Sequence, residues 1–282
     1  MRVLVTGATG FVGSHFVEQA LALGHEVVGI RRPGSQPRIP LPDHVQWIDA
    51  PLDADFAEAF KGVDCLVHLA AHTANVPYAP LPECLYWNVY AAARLVHAAA
   101  QAGVSRLLVA GTCFEYGSAA QGQEFVHPAT ELRPTLSYPI SKAAASAALL
   151  GAARELGLRM QLLRIFQVYG RGESAKRFWP SLKLAAHEGR DFPMSAGTQV
   201  RDFIDVADVA CAFVQALGFE GVEAGRPHVR NVGTGRGQSL LDFARFWWNQ
   251  WGATGRLLPG EVTTRPGELH RLVADVESVH VG

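Results

Sequence analysis

Short apolar segments alternate with amphipathic segments through the first 165 residues of this 282-residue chain. The apolar segments are nearly continuous, which is typical of parallel strands that are buried on both faces. With helical segments between them, they predict an α/β fold in which a doubly wound parallel sheet is covered by helices on both sides. The predicted strands are 2–6, 26–30, 45–48, 65–69, 107–110 and 161–165.

The longer periodic segments predict helices over 11–23, 83–102 and 138–156. After Gly170 the elements become shorter and Gly and Pro more frequent, with a return to the sheet around 203–214. We therefore predict a large domain over 1–168 and a smaller C-terminal lobe. In this interpretation the sheet is rejoined by about 200–235, and the lobe comprises 169–199 and 236–282.

The composition excludes several classes of protein. Hydrophobic residues make up 49% of the chain and the formal net charge is −1, so there is ample core and no basic field for a nucleic acid. No apolar run reaches the roughly 18 residues that a membrane span needs, and the chain starts directly in a strand. The four cysteines are scattered, which favours free thiols in a reducing cytoplasm over disulfides or a metal site.

A glycine-rich turn follows the first strand and opens the first helix. Its sequence, Thr6-Gly7-Ala8-Thr9-Gly10-Phe11-Val12-Gly13, is typical of the turn that binds a dinucleotide pyrophosphate in a Rossmann fold. Glycine lets the backbone approach the phosphates, and the helix N-terminus supplies amide donors. The alternative is a turn that merely packs helix on strand. We expect Gly7, Thr9, Gly10, Phe11, Val12 and Gly13 to bind the cofactor.

The end of the second strand indicates which cofactor is bound. An acidic residue there would bind the ribose 2′-hydroxyl of NAD, but this chain has Arg31 and Arg32. Two guanidinium groups suit a 2′-phosphate, so we predict a preference for NADP(H), with NAD(H) possible. The alternative is that the two arginines form a solvated surface pair.

Tyr138 and Lys142 are spaced i and i+4 and therefore lie on one face of a predicted helix. Following the glycine-rich turn, they predict a proton donor beside a nicotinamide. The chain resembles the extended short-chain dehydrogenase/reductases, the group of nucleotide-sugar epimerases, dehydratases and reductases. The resemblance rests on motifs in the family's order: the glycine turn, His68-Leu69-Ala70-Ala71, Asn88, the run 112–117, Tyr138 with Lys142, and the runs 163–170 and 201–206.

The resemblance implies that Tyr138 is the acid/base, that Lys142 supports it and holds the nicotinamide ribose, and that Thr112 binds the substrate oxygen. It also implies that Leu69, Ala70 and Ala71 line the cofactor. A free tyrosine has a pKa of about 10, and a neighbouring ammonium favours the phenolate. Lowering that pKa by about 3 units requires roughly 4 kcal/mol.

The residues after Thr112 argue against one branch of the family. Sugar 4,6-dehydratases carry two acidic residues there, whereas this chain has Cys113 and Phe114, which cannot replace an acid/base pair. Glu115 comes one position later and would point elsewhere. We interpret Cys113 as a small buried apolar residue and not as a nucleophile.

Arg201 resembles the family arginine that binds the substrate diphosphate; the alternative is a surface salt bridge to Asp202 or Asp205. Gln167 stands where relatives usually carry Asn, which leaves the position of the diphosphate open. Arg177 is a further candidate for contact with nucleotide or sugar, as are Arg171 and Trp179.

These features favour NADPH-dependent reduction of a nucleotide-activated 4-keto-6-deoxy sugar at C4. The run 111–117 resembles such reductases more than the UDP-glucose 4-epimerases. One alternative is a nucleotide-sugar 4-epimerase that retains NAD; another is a non-catalytic dinucleotide-binding scaffold or sensor. Small side chains on the helices 83–102 and 138–156 favour a homodimer, although alanine is also the best helix former.

Overall fold

The computed structural model describes residues 1–263 and 268–276. Within these ranges, no helix is both long and apolar enough to cross a membrane. The strands are β1 (Arg2–Thr6), β2 (Glu26–Arg31), β3 (Gln46–Asp49), β4 (Cys65–His68), β5 (Arg106–Thr112), β6 (Arg159–Ile165), β7 (Gln167–Tyr169), β8 (Phe192–Met194), β9 (Val200–Asp205), β10 (His228–Val232), β11 (Gly237–Ser239), β12 (Leu257–Pro259) and β13 (Arg271–Leu272). The α-helices are α1 (Phe11–Ala22), α2 (Leu81–Leu85), α3 (Ala92–Gln101), α4 (Ser137–Glu155), α5 (Phe178–His187), α6 (Val206–Ala216) and α7 (Leu240–Gln250).

Seven parallel strands form the main sheet in the order β10-β6-β5-β4-β1-β2-β3. The order reverses between β1 and β4, so the carboxyl ends of these two strands flank a crevice where α/β proteins bind ligands. The predicted doubly wound fold is confirmed.

Hydrophobic clusters lie on both faces of the sheet. On one face the sheet packs against α1 and α6, and Phe16 and Phe213 are fully buried there. On the other face it packs against α3 and α4, with Leu95 and Leu149 in the core. Because strand side chains point to both faces and both faces are covered, the strands read as continuous apolar runs.

The predicted helix 83–102 is not one regular helix. Residues Tyr86–Ala91 form a π-helical segment between α2 and α3. A π-helical segment offsets the helix by one residue, and such segments are frequent at functional sites. Here the segment contains Asn88, whose side chain is buried.

A second, four-stranded sheet joins β7, β9, β11 and β13. The prediction that the chain rejoins the main sheet around 203–214 is therefore wrong for β9, because β9 pairs with β7, β11 and β13. The strand that rejoins the main sheet is β10, parallel to β6. The predicted lobe has its own cluster, in which Leu182, Met194 and Trp248 pack between α5 and α7. Of its predicted range, 264–267 and 277–282 lie outside the described residues.

Candidate active site

The glycine-rich turn is shaped by close backbone contacts. Gly7 has φ +70°, and a Cβ there would lie 2.6 Å from the backbone nitrogen of Ala70. A Cβ on Gly13 would overlap the carbonyl oxygen of Gly7. The amide of Gly10 donates to that same carbonyl at 2.8 Å. Glycine is therefore required for the turn itself and for the approach of the β4 end, where Leu69, Ala70 and Ala71 follow.

The N-terminus of α1 fits an anionic pyrophosphate. Its N-cap is Gly10, which offers no capping side chain, and the first turn of α1 carries no acidic residue. The first amide groups of a helix lack partners within the helix and carry the positive end of its dipole. Thr9 bonds Ser35 at 2.8 Å and tethers the loop after β2 to the turn. The residues present thus suit the phosphates of a dinucleotide.

The two arginines after β2 have different environments. Arg31 lies opposite Asp49 on the neighbouring strand, donates to its carboxylate at 2.9 and 3.3 Å, and stacks 4.9 Å from the ring centroid of Trp47. Arg32 is exposed and forms no ion pair with a described residue. A cavity of about 530 Å³ is lined by Arg31 and Trp47 together with Arg38, which sequence reasoning missed.

Tyr138 and Lys142 lie in the first turns of α4, as predicted, and both are buried. The Lys142 ammonium donates to the carbonyl oxygen of Ala110 at 2.8 Å, which ties α4 to β5. Burial lowers the pKa of Lys142, while the carboxylate of Glu115 acts in the opposite direction.

The protein itself raises the pKa of Tyr138. Burial is the largest cause, followed by the nearby Glu115, Tyr78 and Cys113, whereas the charge of Arg177 lowers it. The ring of Tyr78 lies 5.3 Å from that of Tyr138. Sequence reasoning expected Lys142 to favour the phenolate, but burial dominates the pKa of Tyr138, and the Lys142 ammonium donates to the Ala110 carbonyl. Without ligand the phenol is therefore held protonated, which suits a proton donor.

Thr112 ends β5, and its backbone amide donates to Glu115 Oε1 at 2.8 Å. The other oxygen of Glu115 accepts from Ser146 at 2.7 Å and from Arg164 Nε at 2.9 Å. Arg164 also donates to the hydroxyl of Tyr116 at 3.1 Å. Glu115 is completely buried. It is thus held beneath Thr112 by hydrogen bonds within the protein, whereas the sequence predicts only that it points elsewhere.

Cys113 and Phe114 begin the 3-10 turn after Thr112 and pack in an apolar cluster with Tyr116 and Phe166. Burial raises the pKa of the Cys113 thiol to about 12, so it stays protonated at neutral pH. This environment supports the interpretation of Cys113 as a packing residue.

The π-helical segment brings Asn88 to α4. Its amide nitrogen donates to the hydroxyl of Ser141 at 2.8 Å, and its oxygen accepts from the backbone of His72 at 2.7 Å. Ser141 in turn donates to the carbonyl of Tyr138 at 2.8 Å. Asn88 therefore fixes the turn of α4 that carries Tyr138 and Lys142.

Arg201 lies on β9 in the second sheet and is buried. Its partner is Glu268, at 3.1 Å, and neither of the two aspartates that the sequence suggested. Asp202 instead accepts from the backbone of Thr234 at 2.7 Å, and Asp205 caps α6. The guanidinium also donates from Nη1 to the carbonyl oxygen of Val200 at 2.8 Å, and its remaining donors could bind a phosphate.

Gln167 and Arg177 flank the same loop. Gln167 begins β7 and lies opposite Phe203 on β9, two residues from Arg201. Arg177 is the N-cap of α5; it donates to Glu173 at 3.0 Å and to Asn75 at 3.0 Å. The charge of Arg177 thus acts on Tyr138. Arg201 makes no direct contact with Tyr138 or Arg177.

Arg171 and Trp179, the two further candidates for contact with the substrate, have other partners within the protein. Arg171 pairs with Glu18 at 3.0 Å on the surface. Trp179 lies in an aromatic cluster with Trp247 at 5.6 Å and Trp251 at 5.6 Å between ring centroids. Sequence reasoning missed the roles of Asn75, Tyr78, Glu173 and Glu268. Only the i, i+4 spacing of Glu173 and Arg177 was a readable signal for one of them.

Comparison with known proteins agrees with this geometry. The sequence model of the "NAD dependent epimerase/dehydratase family" matches residues 3–233. A UDP-glucose 4-epimerase from Corynebacterium glutamicum is 31% identical, over 98% of this chain and 88% of that protein. A dTDP-4-dehydro-6-deoxy-D-allose reductase from Streptomyces bikiniensis is 29% identical, over 95% of this chain and 87% of that protein. The solved structure of MoeE5 in complex with UDP-glucuronic acid and NAD has a TM-score of 0.83 and 33% identity, over 98% of this chain and 90% of that chain.

Proposed function

Because the chain belongs to the NAD dependent epimerase/dehydratase family, we propose that it is an enzyme that reduces the 4-keto group of a nucleotide-activated 4-keto-6-deoxy sugar with NADPH. The relative from Streptomyces bikiniensis is named for a reductase of this kind. The fold, the glycine turn and the buried Tyr138 and Lys142 support an oxidoreductase over a non-catalytic scaffold, since a sensor needs no proton donor.

The glycine turn and Lys142 would hold a nicotinamide dinucleotide, which would supply the hydride for C4. Tyr138 gives its phenolic proton to the oxygen at C4 as negative charge develops there. The Thr112 hydroxyl, at the end of β5, hydrogen-bonds the same oxygen. Lys142 keeps a positive charge behind Tyr138, and the raised pKa of Tyr138 ensures that the proton is present at the start of the reaction.

The observation that carries this proposal is the placement of Glu115. In a dehydratase, acidic residues beside Thr112 eliminate water across C5 and C6. Here Cys113 and Phe114 occupy those positions, and Glu115 is buried in an ion pair with Arg164 at 2.9 Å. This placement argues against a dehydratase and leaves Tyr138 as the proposed proton-transfer group, as the transfer of one hydride and one proton requires.

The second candidate is a nucleotide-sugar 4-epimerase, which uses the same tyrosine and returns the hydride to the opposite face of the sugar. The relative from Corynebacterium glutamicum, named a UDP-glucose 4-epimerase, specifically favours it. An epimerase retains NAD through the cycle, whereas a reductase must exchange its cofactor after each turnover.

For the cofactor we propose NADP(H), whose 2′-phosphate is bound by Arg32 and Arg38. Arg38 lines the cavity beside Arg31, and Arg32 follows Arg31 in the loop. Arg31 is paired with Asp49 and supports the site indirectly. The 2′-phosphate needs charge-assisted donors, which guanidinium groups provide.

We further propose a cytoplasmic homodimer. Three of the cysteines, Cys65, Cys84 and Cys113, are free and buried, which is compatible with a reducing compartment. Two features are compatible with a dimer. A Cβ at Gly151, on the outer face of α4, would meet open space, and Tyr86 and Tyr90 are exposed in the π-helical segment that precedes α3. Gel filtration with light scattering tests the dimer.

The decisive assay incubates the purified protein with NADPH and a panel of nucleotide 4-keto-6-deoxy sugars, and separately with UDP-glucose. We expect stoichiometric NADPH oxidation with at least one keto sugar. Interconversion of UDP-hexoses without net cofactor consumption, together with NAD released on denaturation, would replace the reductase by the epimerase. Neither activity, with intact dinucleotide binding, would favour the scaffold.

A further inference from the structure

The carboxylate of Glu173 is a buried charged group that the proposed chemistry does not use. Its side chain is 5% exposed, and Oε1 accepts from Arg177 Nε at 3.0 Å. The other oxygen, Oε2, is buried and has no partner with good hydrogen-bond geometry among the described residues. Burial raises the pKa of Glu173, whereas Arg177 and the backbone of Gly170 lower it. Burying a carboxylate is costly unless it is paired, so the position requires an explanation.

Arg177 joins this carboxylate to the acid/base side of the cleft. Its Nη1 donates to Asn75 Oδ1 at 3.0 Å, in the loop before α2. Tyr78, in the same loop, lies with its ring 5.3 Å from that of Tyr138. Arg177 is thus fixed from two sides, by Glu173 in the loop that precedes α5 and by Asn75 in the loop before α2.

We propose that Glu173 is a positioning residue that holds the Arg177 guanidinium toward Tyr138, where Arg177 serves the acid/base centre as a second cation beside Lys142. The inference rests on the proposed function, because it assigns Tyr138 the proton transfer. Glu173 contacts Arg177 only through Nε, and Asn75 contacts it through Nη1. Nη2 has no partner among the described residues and is available to a substrate.

The charges around Tyr138 agree with this role. Glu115 and Cys113 face it from the turn after β5, Tyr78 faces it from the loop before α2, and Lys142 lies on its own helix. Burial and the first three groups raise the pKa of the phenol, whereas Arg177 lowers it. Displacing Arg177 therefore raises the pKa of Tyr138.

The substitution Glu173→Asp tests the proposal because it keeps the charge and shortens the side chain by one methylene group. A direct effect of the charge is then largely unchanged, and the hold on Arg177 is lost. We expect the alkaline limb of kcat/KM for ketone reduction to move to higher pH, because a guanidinium that is no longer held toward Tyr138 lowers its pKa less. Glu18→Asp, which alters the surface pair with Arg171 in the same loop, is the matched control and should behave as wild type.

A double-mutant cycle separates positioning from general damage. In an Arg177→Gln background, Glu173→Asp should cause no further shift of the alkaline limb, and Arg177→Lys should lie closer to wild type than Arg177→Gln. A limb that does not move in Glu173→Asp, or a shift that persists without Arg177, overturns the proposal.

A substrate-independent measurement distinguishes failure of this inference from failure of the proposed function. Ultraviolet titration of the protein saturated with NADP⁺, with Tyr138→Phe subtracted, reports the phenolate of Tyr138 directly. We expect the Glu173→Asp protein to ionise at higher pH than wild type. If no nucleotide sugar is turned over, the proposed function fails, and this titration still decides whether Glu173 acts on Tyr138 through Arg177.

Discussion

Glu115 and Arg164 form a buried ion pair directly beneath the end of β5, with 2.9 Å between Oε2 and Nε. Gly111 permits this pair, because a Cβ there would lie 2.9 Å from both side chains. The carboxylate nearest to Thr112 in sequence is thereby removed from the cleft. The same carboxylate holds the amide of Thr112, so a residue that could have been catalytic supports the site from behind.

Glu115→Gln should destabilise the protein by about 3–5 kcal/mol, because it leaves the buried guanidinium of Arg164 without a counter-charge. Urea denaturation followed by circular dichroism measures the loss. Glu131→Gln, which breaks an exposed ion pair with Arg133, is the control and should cost less than about 1 kcal/mol. A stable Glu115→Gln protein that had lost catalysis would instead give Glu115 a chemical role.

The apolar runs predicted most of the main sheet because a strand buried on both faces has little freedom in composition. For Glu115, strand periodicity could predict only that the side chain points away from the reacting groups. Its structural role could not be predicted, because its partner Arg164 is 49 residues away in sequence. The error at β9 has a similar origin. A short strand followed by an apolar helix fits either sheet, and the pairing with β7, β11 and β13 is not encoded locally.

Tyr138→Phe should preserve folding and cofactor affinity and lower turnover by roughly 10²–10⁴-fold, since only the proton donor is removed. The measurement is single-turnover reduction of the keto sugar, so that cofactor release does not mask the chemical step. Tyr78→Phe is the matched control, because it removes the hydroxyl of a neighbouring ring, tilted by 36° to that of Tyr138, that has no assigned proton transfer. Unchanged single-turnover rates in Tyr138→Phe would exclude it as the acid.

Cofactor selection should depend on the arginines after β2. Charge-assisted contacts contribute about 1.5–3 kcal/mol each, so replacing both Arg31 and Arg32 by Ala should weaken NADPH by about 10²-fold or more and leave NADH nearly unchanged. Part of the effect at Arg31 is indirect, because its loss frees Asp49, whose charge repels a 2′-phosphate.

Fluorescence titration of both cofactors provides the measurement. Arg226→Ala combined with Arg245→Ala removes two exposed arginines, which pair with Glu223 and Asp242, and controls for the loss of two positive charges. Equal losses for NADPH and NADH would show that Arg32 does not bind the 2′-phosphate and that Arg31 does not support its site. The sequence predicted the arginines but not their division of roles, because Asp49 reaches Arg31 only through the strand register.

His68 should make the fold less stable in mild acid. Burial, assisted by the charge of Lys142, lowers its pKa to about 3, whereas an unfolded histidine titrates near 6.5. Between these values the unfolded chain binds the extra proton, so stability falls as pH decreases, by up to about 1.4 kcal/mol per pH unit. Urea unfolding at several pH values should show a shallower acid dependence for His68→Asn. His44→Gln, at an exposed position, should keep the wild-type slope.

Arg201 should separate substrate binding from cofactor binding, because it lies in the second sheet while the glycine turn lies at the end of β1. Arg201→Ala should weaken binding of the nucleotide sugar by about 30- to 1000-fold, or roughly 2–4 kcal/mol, and change NADPH affinity by only a few fold.

The substitution Arg201→Ala also leaves the partly buried Glu268 carboxylate unpaired, and its charge would repel a diphosphate. Arg201→Ala combined with Glu268→Gln removes that second effect, so the loss that remains measures the phosphate contact itself. Isothermal titration of a nucleoside diphosphate and of NADPH against both variants decides the matter. If the double variant recovers wild-type affinity for the nucleoside diphosphate, Arg201 serves only to neutralise Glu268, and the main support for a nucleotide-sugar substrate within the lobe is lost.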